Sequence, residues 1–165
     1  MPKSTLASKL EKWISEMGFF KRDVPKQGFL YSVVIEIAPQ RYIEVKIPEK
    51  QPDRVDVAAA LKFHPNHIQQ LQGLKPEQKK SFWYNVRRDV NLLPVSFLLL
   101  PPGKPVSEVT GVGIAHIAYE DGLTKTLFAH AIDAVNRAMF SIILALEHTL
   151  GPVPSNSSPS SQDFL

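Results

Sequence analysis

The segment from about Lys125 to Leu150, closed by Gly151 and Pro152, reads as one long helix, and it constrains everything else. Leu127, Ala131, Ala134, Val135, Ala138, Ile142, Ala145 and Leu146 recur at helical spacing and form an apolar stripe facing a core. The opposite face begins polar, with His130, Asp133 and Arg137. Phe140 and Leu144, four residues apart, then fall on that same face, between Arg137 and His148. A helix that is apolar on two sides is covered on two sides. In a chain of 165 residues, the second cover is expected to be another subunit.

The remainder alternates between two periods. Ser4 to Met17 sets Leu6, Leu10, Trp13, Ile14 and Met17 on one helical face and leaves Lys9, Glu11, Lys12 and Glu16 for solvent, with Gly18 as the stop. After the loop KRDVPKQG the period falls to two. Val33, Ile35 and Ile37, then Ile43, Val45 and Ile47, then Val55, Val57, Ala59, Leu61 and Phe63 predict three strands in an antiparallel meander. His64, Pro65 and Asn66 open a short helical turn through Gln72. Pro76 starts a longer helix with Trp83, Val86, Val90 and Leu93 inward, ended by Pro94. Val95–Leu100 and Val109–Tyr119 predict two more strands; Glu120–Gly122 predicts a turn, and Thr124 the N-cap of the last helix. The class is α+β: helix, three-stranded meander, helix, two strands, long C-terminal helix. Residues 1–151 read as a single domain. Residues 152–165, with five serines, three prolines and one charge, read as a flexible tail.

The strand VSFLLL is apolar on both faces: Val95, Phe97 and Leu99 point one way, Leu98 and Leu100 the other. Either it is a central strand covered on each side, or it is a subunit contact, since an exposed apolar strand invites aggregation. In the next strand Gly111, Gly113 and Ala115 share one side. Side chains this small predict close approach by the alanine line of the last helix, with a bend or bulge as the alternative.

Chemistry is harder to find. There is no cysteine, which excludes disulfides, thiolate metal sites and thiol catalysis. The 44% hydrophobic and 21% charged content is that of a globular chain. The apolar charge-free stretch Val90 to Gly103 is 14 residues long and interrupted by prolines, and the N-terminus meets charges before any apolar core of a signal could form. A soluble, cytoplasmic protein with no membrane partner is expected. His64 and His67 are three apart but lack further ligands, so His64 is expected to cap a helix and His67 to lie at the surface; His116 is expected in the core. GVG at 111–113 lacks the rest of a phosphate-binding pattern, and no GxSxG elbow occurs. Glu120 and Asp121 are explained as turn residues near a helix start. No catalytic residue, cofactor or metal is predicted, and the protein is not expected to be an enzyme.

One charged feature stands out. Between Lys75 and Asp89 there are five basic and two acidic residues, which equals the chain's whole net charge of +3. Lys80, Tyr84, Arg87 and Arg88 share a helix flank there, a stripe able to follow a phosphate backbone.

SKLEKWISEMGF, HPNHIQQLQGLKPEQKKSFWYNVRRDV and YEDGLTKTLFAHAIDAVNRA carry a resemblance spanning about residues 4–150. With its order of elements, the chain resembles the class I type III secretion chaperone fold, and is more closely similar to an uncharacterised archaeal and bacterial family placed in that chaperone-like superfamily. The resemblance implies a homodimer without enzymatic activity that binds protein or peptide segments across apolar patches. Those chaperones are typically acidic, whereas this chain has a sequence pI near 9.1. The expectation is therefore a protein- or peptide-binding homodimer, with Phe140, Leu144, Val95, Phe97, Leu98 and Leu100 as contact candidates. A nucleic-acid accessory role through Lys80, Tyr84, Arg87 and Arg88 is the alternative.

Overall fold

The computed structural model describes residues 5–152, so apart from Pro152 the expected tail lies outside the described residues. The elements run α1 (Thr5–Glu16), β1 (Phe20–Asp23), β2 (Phe29–Ala38), β3 (Arg41–Pro48), β4 (Arg54–Lys62), α2 (Pro65–Gly73), α3 (Pro76–Val90), β5 (Ser96–Leu100), β6 (Gly111–Tyr119) and α4 (Lys125–Leu150). Short 3-10 turns occupy Val106–Glu108 and Glu120–Gly122. The strands form one sheet in the order β1-β2-β3-β4-β6-β5. The expected α+β arrangement is the one observed.

Pairing follows the alternation in the sequence. β1 to β4 are antiparallel neighbours, and the register sets Val33 beside Val45 and Val45 beside Val57, all three buried. β4 and β6 are antiparallel as well: Glu120 N–H donates to Asp53 O at one end, and Phe63 N–H to Thr110 O at the other. β1 is the element that sequence reasoning missed. Its four residues, FKRD, carry three charges and no alternation, and pairing with β2 rather than any pattern of its own makes it a strand.

The chain packs as two compact units, Met1–Ala59 with Ala115–Val135, and Ala60–Ile114 with Asn136–Leu165. In the first, α1 lies on β1 and β2 and buries Leu6, Leu10 and Ile14. Burying each such side chain contributes about 1.5–3 kcal/mol. Trp13 meets Phe128 with ring centres 6.0 Å apart, and Lys125 binds Glu16 at 2.7 Å. Thr124 caps α4 as expected, its hydroxyl accepting from Leu127 N–H. Glu44 is the buried acid of this unit. It is held by Lys26 at 2.5 Å and Lys46 at 3.0 Å, and it accepts from the Ser32 hydroxyl. In the second unit Phe63, Leu71, Phe82, Trp83, Val86, Val90, Val112, Ile114 and Ile142 are buried. Phe63 stacks on Trp83 at 6.3 Å, and Trp83 meets Phe82 edge-on at 5.0 Å.

Several expectations need correction. Leu127 was placed in the buried stripe of α4 but is half exposed, and in the same first turn it is Phe128 that is fully buried. VSFLLL is not a central strand: β5 is an edge of the sheet. The glycines of β6 do permit close approach, but by neighbouring strands. A Cβ on Gly111 would lie 2.5 Å from the Leu61 carbonyl oxygen of β4, and one on Gly113 would lie 3.3 Å from Leu98 Cγ of β5. By length and composition α4 could cross a bilayer, yet Phe128, Ala131, Val135, Ala138 and Ile142 are fully buried, as in a core helix.

Two stability effects follow from this packing. Gly111→Ala forces a methyl group into strand backbone that cannot yield without breaking the ladder. It should cost about 1–3 kcal/mol, read as a lower Tm, whereas Gly122→Ala, with open space around it, should be near neutral. For Glu44, burial alone raises the carboxyl pKa, but the hydrogen bonds and charges of Lys26 and Lys46 outweigh it and hold it below the usual 4.5. The folded form thus binds this proton less readily than the unfolded one. Its stabilisation is present above pH 4.5 and lost as pH falls through the lower folded value. Thermal melts from pH 7 to pH 3 should show Glu44→Gln less stable than the native chain at pH 7, with the gap closing in acid.

Candidate functional site

Most of the first unit's charge is internally matched. Lys9 pairs with Glu120, Lys21 with Glu11 and Asp23, and Arg54 with Asp56. An open groove of about 530 Å³ is lined by Gly28, Phe29, Pro48, Glu49, Lys50, Gln51, Arg54 and Asp56. Three of its polar side chains engage one another: Arg54 donates to both Asp56 carboxylate oxygens, at 2.6 and 3.1 Å, and to Gln51 at 2.7 Å. Nothing there sets a nucleophile beside a base.

Two of the histidines take structural roles. His64 Nδ1 accepts from Asn66 N–H at 3.2 Å, the capping role expected of it. His67 is buried rather than at the surface, with Nε2 2.9 Å from the Gly151 carbonyl oxygen. That contact ties the first turn of α2 to the residue following α4. Among the described residues no group of three or more His, Asp or Glu side chains is placed to hold a metal.

The second unit presents two surfaces. The first is apolar. On α4, Phe140 is 46% and Leu144 47% exposed, one turn apart, while Met139 and Ile142 beside them are buried. β5 carries exposed apolar residues as well. Leu98 is 48% exposed, and Val95, Phe97, Leu99 and Leu100 are half buried. Among the described residues β5 has β6 on one side and no strand on the other. Natural edge strands are usually protected by charge; here none occurs from Val90 to Gly103, and only Pro94, Pro101 and Pro102 bound the strand. Gly113 leaves room for Leu98 and Leu100 to lie over it, which covers one side of Leu98 only.

The second surface is basic. α3 buries Phe82, Trp83, Val86 and Val90 and exposes Lys80, Tyr84, Arg87 and Arg88. Arg88 is held by Asp89, with Nε and a terminal nitrogen both 2.9 Å from Oδ1. Lys80 and Arg87 have no carboxylate partner among the described residues. All of the candidate residues read from the sequence therefore lie in this unit. Two features escaped that reading. Phe82 joins the core beside Trp83, and Leu92, 81% exposed, falls past the end of α3 where helical periodicity no longer applies. The exposure of Leu92 has a local signal, the early stop of the helix before Pro94.

The same fold occurs elsewhere. A crystal structure of an uncharacterized protein from Methanothermobacter thermautotrophicus is similar, with a TM-score of 0.80 at 24% identity, over 87% of this chain and 98% of that one. YbjN from E. coli, a protein proposed to regulate transcription, is more distant, with a TM-score of 0.51 at 13% identity over 91% and 97%. At such identities the likeness concerns the fold alone. No curated protein matches the chain. Residues 6–146, nearly all of the folded part, match the family described as "Uncharacterized conserved protein (DUF2299)", and the chain belongs to that family.

Proposed function

We propose that this protein is a non-catalytic homodimeric module that binds protein or peptide segments in a chaperone-like way. One observation carries the reading: the second unit leaves Phe140 and Leu144 half exposed on the face of α4 away from its buried stripe, and its edge strand carries no charge to repel another strand. Burying a large apolar side chain contributes about 1.5–3 kcal/mol, so two of them plus a strand edge supply a credible contact. A two-fold axis beside β5 would pair it antiparallel with the same strand of a second copy, an isologous arrangement. An extended peptide would use the same edge by strand addition, with Leu98 as its apolar neighbour. The resemblance to type III secretion chaperones, small dimers that bind unfolded segments, supports the reading. The module would work in the cytoplasm, with neither cofactor nor membrane.

Light scattering behind size exclusion tests the association. The expected species has twice the 18.5 kDa chain mass. Phe140→Ser with Leu144→Ser should shift it toward monomer while changing Tm little. A single 18.5 kDa species at high micromolar concentration overturns the dimer, and so does a loss of Tm without any change in mass.

A further inference from the structure

We infer that the outer flank of α3 is a docking surface for single-stranded nucleic acid. This goes beyond the proposed dimer and does not rest on it. The charge of the chain is unevenly placed. The first unit has eleven basic and eleven acidic residues; the second has eight and five, so it carries the entire excess. Five of those eight bases lie between Lys75 and Arg88. In the first unit lysines and arginines are largely taken up in ion pairs, whereas on this flank Lys80 and Arg87 face solvent unpaired.

The geometry suits a strand rather than a point anion. At 1.5 Å per residue, Lys80 and Arg87 are about 10 Å apart along the axis, and positions 80, 84, 87 and 88 fall on one side of the helix. Tyr84 sits in the middle of that line, 66% exposed, although its neighbours Phe82 and Trp83 are in the core. Exposed Asn85 and Asn91 add hydrogen-bonding groups, and Glu77 is the one acid of the helix on this side, at its N-terminal end. Cations spaced along a helix hold phosphates, and a projecting ring between them is a stacking platform for an unpaired base. A duplex keeps its bases stacked inside and would leave Tyr84 idle. An anionic membrane surface is matched by helices that insert an apolar face, and the apolar face of α3 is already buried in the fold.

Fluorescence anisotropy of the full chain with a labelled mixed-sequence 12-mer tests this. Binding at 50 mM salt should weaken about 20-fold by 200 mM, the slope for roughly three released counterions on a single strand. Lys80→Gln, Arg87→Gln and Arg88→Gln together should abolish it, while Lys104→Gln, elsewhere in the same unit, should leave it unchanged. Tyr84→Ala should weaken single-strand binding about tenfold without altering the salt slope. Circular dichroism melts confirm that these exposed substitutions leave the fold intact. Absence of binding at 50 mM salt overturns the inference. So does equal affinity for the duplex with no effect of Tyr84→Ala, or tighter binding to phosphatidylcholine–phosphatidylserine vesicles than to the oligonucleotide. Phe140→Ser with Leu144→Ser should retain oligonucleotide binding, which separates this outcome from that of the dimer.

Discussion

The backbone ladder between β4 and β6 is the contact on which the arrangement depends. It joins a meander built from consecutive strands to a strand contributed 50 residues later, and it closes with hydrogen bonds at both ends, Asp53 to Glu120 and Phe63 to Thr110. Non-local pairing of this kind is entropically costly to form, so its local geometry must be favourable. Gly111 is where that requirement is most stringent. Its lost conformational entropy and missing side chain disfavour it in a strand, but no other residue would let the Leu61 carbonyl approach as it does. Once β6 is fixed, β5 has only one place to pair and becomes the sheet's edge.

Burial in the first unit shows how much the meander contributes. Val33, Val45 and Val57 sit in register, and the opposite face holds Ser32, Glu44 and Lys46 in a polar network instead of a second apolar layer. A buried carboxylate without partners would be strongly destabilising; two lysines and a hydroxyl offset that cost. The same unit matches Lys9, Lys21, Arg54 and Lys125 with acids. Its surface is largely self-neutralised.

The parts legible in the sequence are those governed by local period. β2, β3, β4, α3 and the whole of α4 follow from alternation or helical spacing, and the caps at Thr124, Gly18 and His64 follow from turn chemistry. Phe140 and Leu144 were legible because they break the polar face of a helix, a defect visible on a helical wheel. What failed depends on distant partners. β1 has no periodic signal and owes its existence to the register that sets Arg22 beside Val34. His67 is buried because Gly151, 84 positions away, supplies a carbonyl, and no local pattern encodes that pairing. The glycines of β6 announced a close approach, but the alanine line of the last helix was named for it, and the neighbours at Gly111 and Gly113 are strands. Leu127 lies at the margin of the apolar stripe, and in the first turn of α4 it is Phe128 that the core buries.

The division of labour between the units follows from these features. The first unit pairs most of its charges and has as many acids as bases, although Phe20 and Leu30 stand exposed on it. The other unit has a core of its own, with Phe63, Phe82 and Trp83 packed as a cluster, so its outer residues are not needed for folding. Phe140, Leu144 and Leu98 remain half exposed where a modest substitution would have made them polar, and Lys80 and Arg87 remain unpaired even though Glu77 lies one turn from Lys80. Their cost in the isolated chain is small but real: apolar area left in water and like charges side by side on one helix. The apolar residues of β5 and α4 and the basic flank of α3 all fall in one unit, and that unit carries the whole of the chain's charge excess.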